Sequence, residues 1–330
     1  MIGPHLMPNR AVLAPMSGVT DLPFRRIAAR YGAGMVVSEM VASESFIKGD
    51  AETQMRAEAQ SSGLHVVQLA GREAKWMGEA AKVIADLGAD VIDINMGCPA
   101  KKVTSGYSGS ALMRDLDHAL TLIDATVAAV RIPVTVKMRL GWDDNSLNAP
   151  ELANRAEAAG VQLITVHGRT RCQFYKGTAN WHAIRCVKEA ISIPLIANGD
   201  CKGIEDAENM LEASGADGVM IGRGAYGRPW LPGCVGHYLE TGKFLDAPSM
   251  TEFSDLVSEH YEAILSHYGQ AQGVRIARKH LGWYLDVAHN RTDGMMPGAE
   301  RRTLMTSDRP AEVLKLVADW FATSNERIAA

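Results

Sequence analysis

The chain has 330 residues, 47% of them hydrophobic and 22% charged, with a formal net charge of −4 at pH 7. That apolar content supports a sizeable core and excludes disordered, collagen-like and coiled-coil chains. The mild acidity excludes a protein that coats nucleic acid by bulk attraction, although a local basic patch can still bind it.

Along the first 240 residues one rhythm repeats: a short β-branched apolar run, a turn bearing Gly or Asp, then a helical stretch. Eight such runs lie near Val12-Leu13-Ala14, Met35-Val36-Val37, Val66 to Leu69, Val91 to Ile94, Val134 to Met138, Leu163 to Val166, Pro194 to Ala197 and Gly218 to Ile221. Helices fit between them, for example Asp21 to Tyr31, Glu73 to Leu87, Ala149 to Ala159 and Ile204 to Ala213, several ending at a Gly suited to a C-cap. Eight βα units in this length predict an α/β fold, a (β/α)8 TIM barrel, rather than a doubly wound sheet.

Past Gly242 the pattern turns to helix only. Residues 243–250 read as a linker, and 251–330 as a helical bundle, with Phe253, Leu256, Val257, Tyr261, Ile264 and Leu265 at three- and four-residue steps and a last helix from Leu304 to Ile328. The barrel then spans 1–242. No apolar run reaches the roughly 18 residues of a membrane helix. Met1 to Arg10 lacks a basic region followed by an apolar stretch, so a cytoplasmic protein without a membrane partner is expected. The five cysteines are an odd, scattered set without C-x-x-C spacing, which speaks against a disulfide framework and a metal site.

A barrel collects its chemistry where the strands end. Those ends read Ala14-Pro15-Met16 with Thr20-Asp21, Glu39, Gln68, Asn95-Met96-Gly97-Cys98-Pro99, Lys137 and Arg139, His167-Gly168-Arg169, Asn198-Gly199-Asp200, and Gly222-Arg223. Singly, Gln68 reads equally as a satisfied buried amide, Lys137 as a rim charge and His167 as a core histidine. Together, a Lys, an Asn and a Gln aimed inward suit a flavin: amide bonds to its pyrimidine edge and a cation where negative charge gathers on reduction. The Gly-rich ends of the last two strands, with Arg223, suit its phosphate. Among the cysteines only Cys98, between Gly97 and Pro99, is placed for chemistry.

These motifs, with Lys101-Lys102-Val103 after the cysteine and His167-Gly168-Arg169-Thr170, resemble the tRNA-dihydrouridine synthase family over nearly the whole chain. Ser38-Glu39-Met40 and Arg275 to His280 are similar to its bacterial B-type branch. The resemblance implies an FMN enzyme that reduces a D-loop uridine of tRNA, the seventeenth nucleotide for the B-type, with NADPH or NADH. It implies that Ala14, Pro15, Met16, Gln68, Lys137, Asn198, Gly199, Asp200, Gly222 and Arg223 hold FMN, and that His167 contacts FMN or the substrate. It implies that Cys98 protonates C5 of uracil and that Asn95 and Arg139 face the base. A thiol is mostly protonated at neutral pH and so can serve as a general acid.

A uridine in folded tRNA must be turned out of its stack to reach a barrel mouth, which calls for a second RNA-holding surface. From Gln270 to Pro310 seven basic residues (Arg275, Arg278, Lys279, Arg291, Arg301, Arg302, Arg309) face four acids (Asp286, Asp293, Glu300, Asp308). Arg275, Arg278 and Lys279 share one helix face and are the expected tRNA contacts, together with Lys101 and Lys102 beside Cys98; a solvated charged face is the alternative. No obligate protein partner is evident. A rival reading keeps the FMN barrel but gives it a small-molecule substrate, as in dihydroorotate dehydrogenases or ene-reductases; another is an RNA-binding protein on a decayed barrel.

Overall fold

The computed structural model describes residues 1–60, 62–292 and 294–329, with 324–329 as backbone alone. Asp293, counted above among the acids, lies outside the described residues. The chain divides into two compact units: Met1–Gly224 with Leu231–Lys243, and Ala225–Trp230 with Phe244–Ala330.

The first unit is built on nine parallel strands, β1 (Ala11–Leu13), β2 (Met35–Val36), β3 (Val41–Ala42), β4 (Val66–Ala70), β5 (Val91–Met96), β6 (Val134–Arg139), β7 (Leu163–His167), β8 (Leu195–Asn198) and β9 (Gly218–Ile221). They pair in the order β2-β1-β9-β8-β7-β6-β5-β4-β3. A bridge between Val37 and Val66, with the Ser38 N–H donating to the Val66 carbonyl at 3.0 Å, joins the β2 side back to β4 and closes the ring. β2 and β3 are thus two pieces of one stave, and the nine strands make the eight staves of the expected barrel.

The break in that stave has a local cause. Ser38 turns its hydroxyl to the Glu39 carbonyl (2.8 Å) and accepts from the Gln68 N–H (2.9 Å), while the Glu39 carboxylate accepts from the Gly18 N–H. These side-chain bonds replace ladder bonds at 38–39.

Strand residues are buried on both faces, as a parallel sheet covered by helices requires. Inside the barrel, Val12, Met35, Val66, Val91, Leu163, Ile196 and Met220 pack on Ile2, which is fully buried and held by paired backbone bonds to His5. Most of these are first residues of their strands, so Ile2 plugs the N-terminal end; burying it contributes about 1.5–3 kcal/mol. The polar strand ends lie at the opposite, C-terminal end.

The second unit carries the helices Met250–Tyr268, Gln270–Thr292, Gly298–Thr306 and Pro310–Ala329. Ser249 and Glu252 form a reciprocal capping box at the start of the first. The first two helices approach so closely at Gly273 that a Cβ there would stand 2.9 Å from the Leu265 Cα. Phe253 anchors the core, its ring against Trp230 (4.9 Å between centroids), Phe321 (5.1 Å) and Tyr284 (5.7 Å). The expected single helix from Leu304 to Ile328 is instead two, broken at Ser307–Arg309. Pro310 lacks an N–H and disfavours helical geometry in the residue before it, so a new helix begins there. No helix among the described residues is long and apolar enough to cross a membrane.

His260 and His280 are both buried in this unit, their rings 4.8 Å apart, and His260 Nδ1 lies 2.8 Å from the Tyr284 hydroxyl. Burial, with the nearby Lys279 charge, holds His260 down to about 3, and burial drives His280 well below the usual histidine range. The unfolded chain binds these protons below about pH 6.5 and the folded one does not, so acidification must destabilise the fold by about 1.4 kcal/mol per pH unit per histidine. Urea unfolding should show a lower midpoint at about pH 5 than at neutrality, and His260→Gln should shrink that drop by roughly half. An undiminished drop in the variant would contradict this.

Candidate active site

Strand register decides which side chains share the barrel interior. Gln68 pairs with Asp93, Asp93 with Thr135, Asn95 with Lys137, Lys137 with Thr165, Arg139 with His167, and His167 with Asn198. Partners across a ladder point to the same face, so these polar residues face the same way as Val66, Val91 and Leu163, into the barrel.

On the β4–β5 side they form one hydrogen-bond chain. The buried Asp93 carboxylate accepts from Thr135 Oγ1 (2.6 Å) and Gln68 Nε2 (2.7 Å). Gln68 Oε1 accepts from Asn95 Nδ2 (2.7 Å), and Asn95 Oδ1 accepts from the backbone N–H of Cys98 (2.9 Å) and of Gly97 (3.2 Å). Because a carboxylate only accepts, Asp93 fixes the direction of both amides. The Cys98 carbonyl is held in turn by the N–H (3.1 Å) and hydroxyl (2.8 Å) of Ser110. Cys98 is half-buried, at the end of a fully tethered turn. Burial pushes the Asp93 carboxyl up, against the bonds from Thr135 and Gln68.

The β6–β9 side is cationic. Burial holds Lys137 down to about 8, with the Arg139 charge adding to the effect. Its ammonium has no hydrogen-bond or ion-pair partner among the described residues. Arg139 is buried and spends its guanidinium on the carbonyls of Gly97 (2.8 Å), Thr170 (2.9 Å) and Phe174 (2.8 Å). His167 is held well below the usual histidine range, first by burial and then by Arg139, Lys137, Arg169 and Arg223, so it is neutral at pH 7.

Asp200, at φ 62°, accepts from Arg169 Nη2 (2.6 Å) and the Ala179 N–H (2.8 Å) and lies 3.4 Å from Arg223 Nη2. Burial works against its charge, but these donors prevail and hold the carboxyl below the usual range. Asn198 Nδ2 donates to the Met220 carbonyl (2.7 Å), and the Gly199 carbonyl accepts from Trp181 Nε1 (2.8 Å). Gly222 lies against the first strand's end: a Cβ there would make ordinary contact with Met16 Sδ at 3.6 Å and the Ala14 Cβ at 3.8 Å.

The structure therefore brings Ala14, Pro15, Met16, Gln68, Asn95, Cys98, Lys137, Arg139, His167, Asn198, Gly199, Asp200, Gly222 and Arg223 to one barrel end. Lys101 and Lys102 are exposed on the Lys101–Thr104 helix that follows Cys98. In the helical unit Arg275 is exposed, and Arg278 is tied to the Thr306 carbonyl (2.9 Å) and Asp308 (3.1 Å). Arg301 pairs with Asp286 and Arg309 with Glu312, so much of the basic count there is spent within the fold.

Three contributors were not singled out by sequence reasoning. Asp93 and Thr135 lie within strands two residues before Asn95 and Lys137, and period-two alternation would have placed them inside. Tyr175 lies between two guanidinia, 5.3 Å from Arg139 and 5.1 Å from Arg223, and nothing in its sequence context signals that.

Residues 12–317 match the family model described as Dihydrouridine synthase (Dus). A probable tRNA-dihydrouridine synthase of Rhizobium leguminosarum bv. phaseoli is 59% identical over 92% of this chain and 93% of its own length. The tRNA-dihydrouridine synthase B of Xanthomonas campestris pv. campestris is 45% identical over 97% and 95%. Among solved structures, the old yellow enzyme homologue from Zymomonas mobilis shares the fold at 15% identity (TM-score 0.51, 76% of this chain and 94% of that one). Histamine dehydrogenase from Rhizobium sp. 4-9 does so at 16% (TM-score 0.56, 79% and 50%).

Proposed function

Since the chain belongs to the dihydrouridine synthase family, we propose that it is an FMN-dependent tRNA-dihydrouridine synthase. In this reading it reduces the C5–C6 double bond of a D-loop uridine, the seventeenth nucleotide, in the cytoplasm. The observation that carries the reading is the pair of features on β5 and β6: a thiol on a tethered turn, and beside it a half-buried ammonium that, among the described residues, has no hydrogen-bond or ion-pair partner and only the charge of Asp93 and the thiol nearby to offset burial.

The residues present fit the cofactor. A half-buried cation without a partner is costly unless a ligand supplies an acceptor, and Lys137 would meet the ring where negative charge gathers. Ala14, Pro15 and Met16 would lie against the ring, with Gly222 beside them. Asn198, Gly199, Asp200 and Arg223 would hold the ribityl and phosphate end, with Asp200 orienting Arg223. FMN, recharged by NADPH or NADH, supplies the hydride that uracil takes at C6.

The chain's own residues do the rest. Cys98 gives its proton to C5, and Asn95 keeps one amide hydrogen for the base, its other groups being engaged by Gln68 and the Cys98 turn. Gln68 likewise keeps one amide hydrogen for the ring. Arg139 acts by holding Gly97 against the loop after β7, and neutral His167 offers a hydrogen bond without adding charge to a cationic wall. The barrel of 1–242 carries the chemistry, 243–250 links, and 251–330 holds tRNA through Arg275, Arg278 and Lys279.

Incubating the protein with FMN, NADPH and tRNA lacking dihydrouridine should raise the mass of a D-loop fragment by two hydrogens. No gain in any tRNA would overturn the reading.

A further inference from the structure

The loops after β5, β6 and β7 interlock outside the cofactor and base positions. The Arg114 guanidinium carbon lies 4.9 Å from the centre of the Trp142 ring and that of Arg171 lies 4.7 Å from the same ring. Arg171 also reaches the Thr104 hydroxyl (3.4 Å) on the short helix that bears Lys101 and Lys102. Each guanidinium has five donors; Arg171 spends one on this contact and buries its Nε, which leaves its other Nη donors, and Arg114 makes no side-chain bond or ion pair among the described residues.

Elsewhere on this unit cations face carboxylates, as Lys188 does Asp217 and Arg155 does Asp117. Here the neighbouring acids are engaged: Asp115 caps the Leu116–Ala129 helix, and Asp143 accepts from Ser146 and Asn145. With exposed Asp144 these acids leave the cluster of Lys101, Lys102, Arg114 and Arg171 net positive by one, and none of the three forms an ion pair with Arg114 or Arg171 among the described residues. The same three loops expose Tyr107 (55%), Leu147 (50%) and Phe174 (42%).

Cations free for phosphate, interleaved with exposed rings, are what a single-stranded nucleic acid needs: charge for the backbone and flat faces for bases. An acidic peptide would use the cations and leave the rings without a role. These loops surround Cys98, so a uridine turned out to meet the thiol must lay its flanking backbone across them.

We propose that Arg114 and Arg171, clamped on Trp142, form a phosphate-gripping surface of the barrel for the RNA strand flanking the reduced uridine, separate from the helical unit's contacts. This rests on the reading of the protein as a tRNA-modifying enzyme. Stacking on Trp142 pre-orders both side chains, so little rotamer freedom is lost on binding.

The test is the affinity of the full-length, FMN-loaded protein for an unmodified tRNA transcript across a salt series. The Arg114→Ala/Arg171→Ala double variant should bind roughly tenfold or more weakly, with a log affinity against log salt slope shallower by about 1 per cation removed. Its flavin absorbance and bleaching by NADPH should match the parent. Arg114→Glu, at an exposed side chain with no bond to lose, keeps the test decisive if the double variant fails to fold, and should weaken binding further than Arg114→Ala. Unchanged affinity and slope in well-folded variants would overturn the surface. A parent protein that neither binds nor reduces tRNA would overturn the reading it rests on instead.

Discussion

Replacing Cys98 with alanine should leave flavin binding and its reduction by NADPH intact while slowing uridine reduction by about 10²-fold or more, the usual worth of a positioned general acid. The variant is clean because little of the turn depends on the thiol. The backbone N–H of Cys98 is held by Asn95 and its carbonyl by Ser110. Gly109, at φ 60°, packs so tightly that a Cβ would stand 2.8 Å from the Cys98 carbonyl oxygen and 2.9 Å from Val103 Cγ1. Those constraints survive in Cys98→Ala, so a loss of rate reports the missing proton. Single-turnover reoxidation of the reduced protein by tRNA measures it, and an unchanged rate would remove Cys98 from the chemistry.

Lys137→Met should lower flavin affinity by tenfold or more and yet make the apoprotein more stable. At pH 7 Lys137 is charged in both folded and unfolded chains, and burial penalises that charge, holding it at about 8. The cost is full below about pH 8, shrinks as the unfolded chain alone holds the proton, and vanishes near pH 10.5. A gain of about 1–3 kcal/mol for the variant apoprotein at neutral pH is expected, shrinking above pH 8. Flavin titration and urea unfolding of apoprotein give the two numbers. A variant that binds flavin normally, or an apoprotein less stable than the parent at pH 7, would contradict the role.

Much of this was legible because strands announce themselves. Parallel strands covered on both faces read as apolar runs, and a polar residue closing such a run marks the mouth, which is how Gln68, Asn95, Lys137, His167 and Asn198 were found. What the pattern could not show is which neighbours each side chain bonds. Arg139 reads as a residue facing the base, but its guanidinium is taken by carbonyls as distant in sequence as Gly97 and Phe174. Asp93, which fixes the direction of the amide chain ending at Cys98, looks on sequence like an acid interrupting a strand. The net basic count of the 270–310 segment overstated its free charge, since Arg278, Arg301 and Arg309 pair with acids. Ile2 was passed over because a plug is defined by seven residues that meet only after folding.

In the proposed reading one barrel end holds a flavin and passes reducing equivalents to uridine in tRNA. The experiment that decides it is an anaerobic absorbance record of the FMN-loaded protein. The flavin bands should bleach on adding NADPH, persist bleached, and return when tRNA lacking dihydrouridine is added, but not when fully modified tRNA is. A protein that cannot be loaded with FMN, or whose bleached flavin ignores unmodified tRNA, would contradict it.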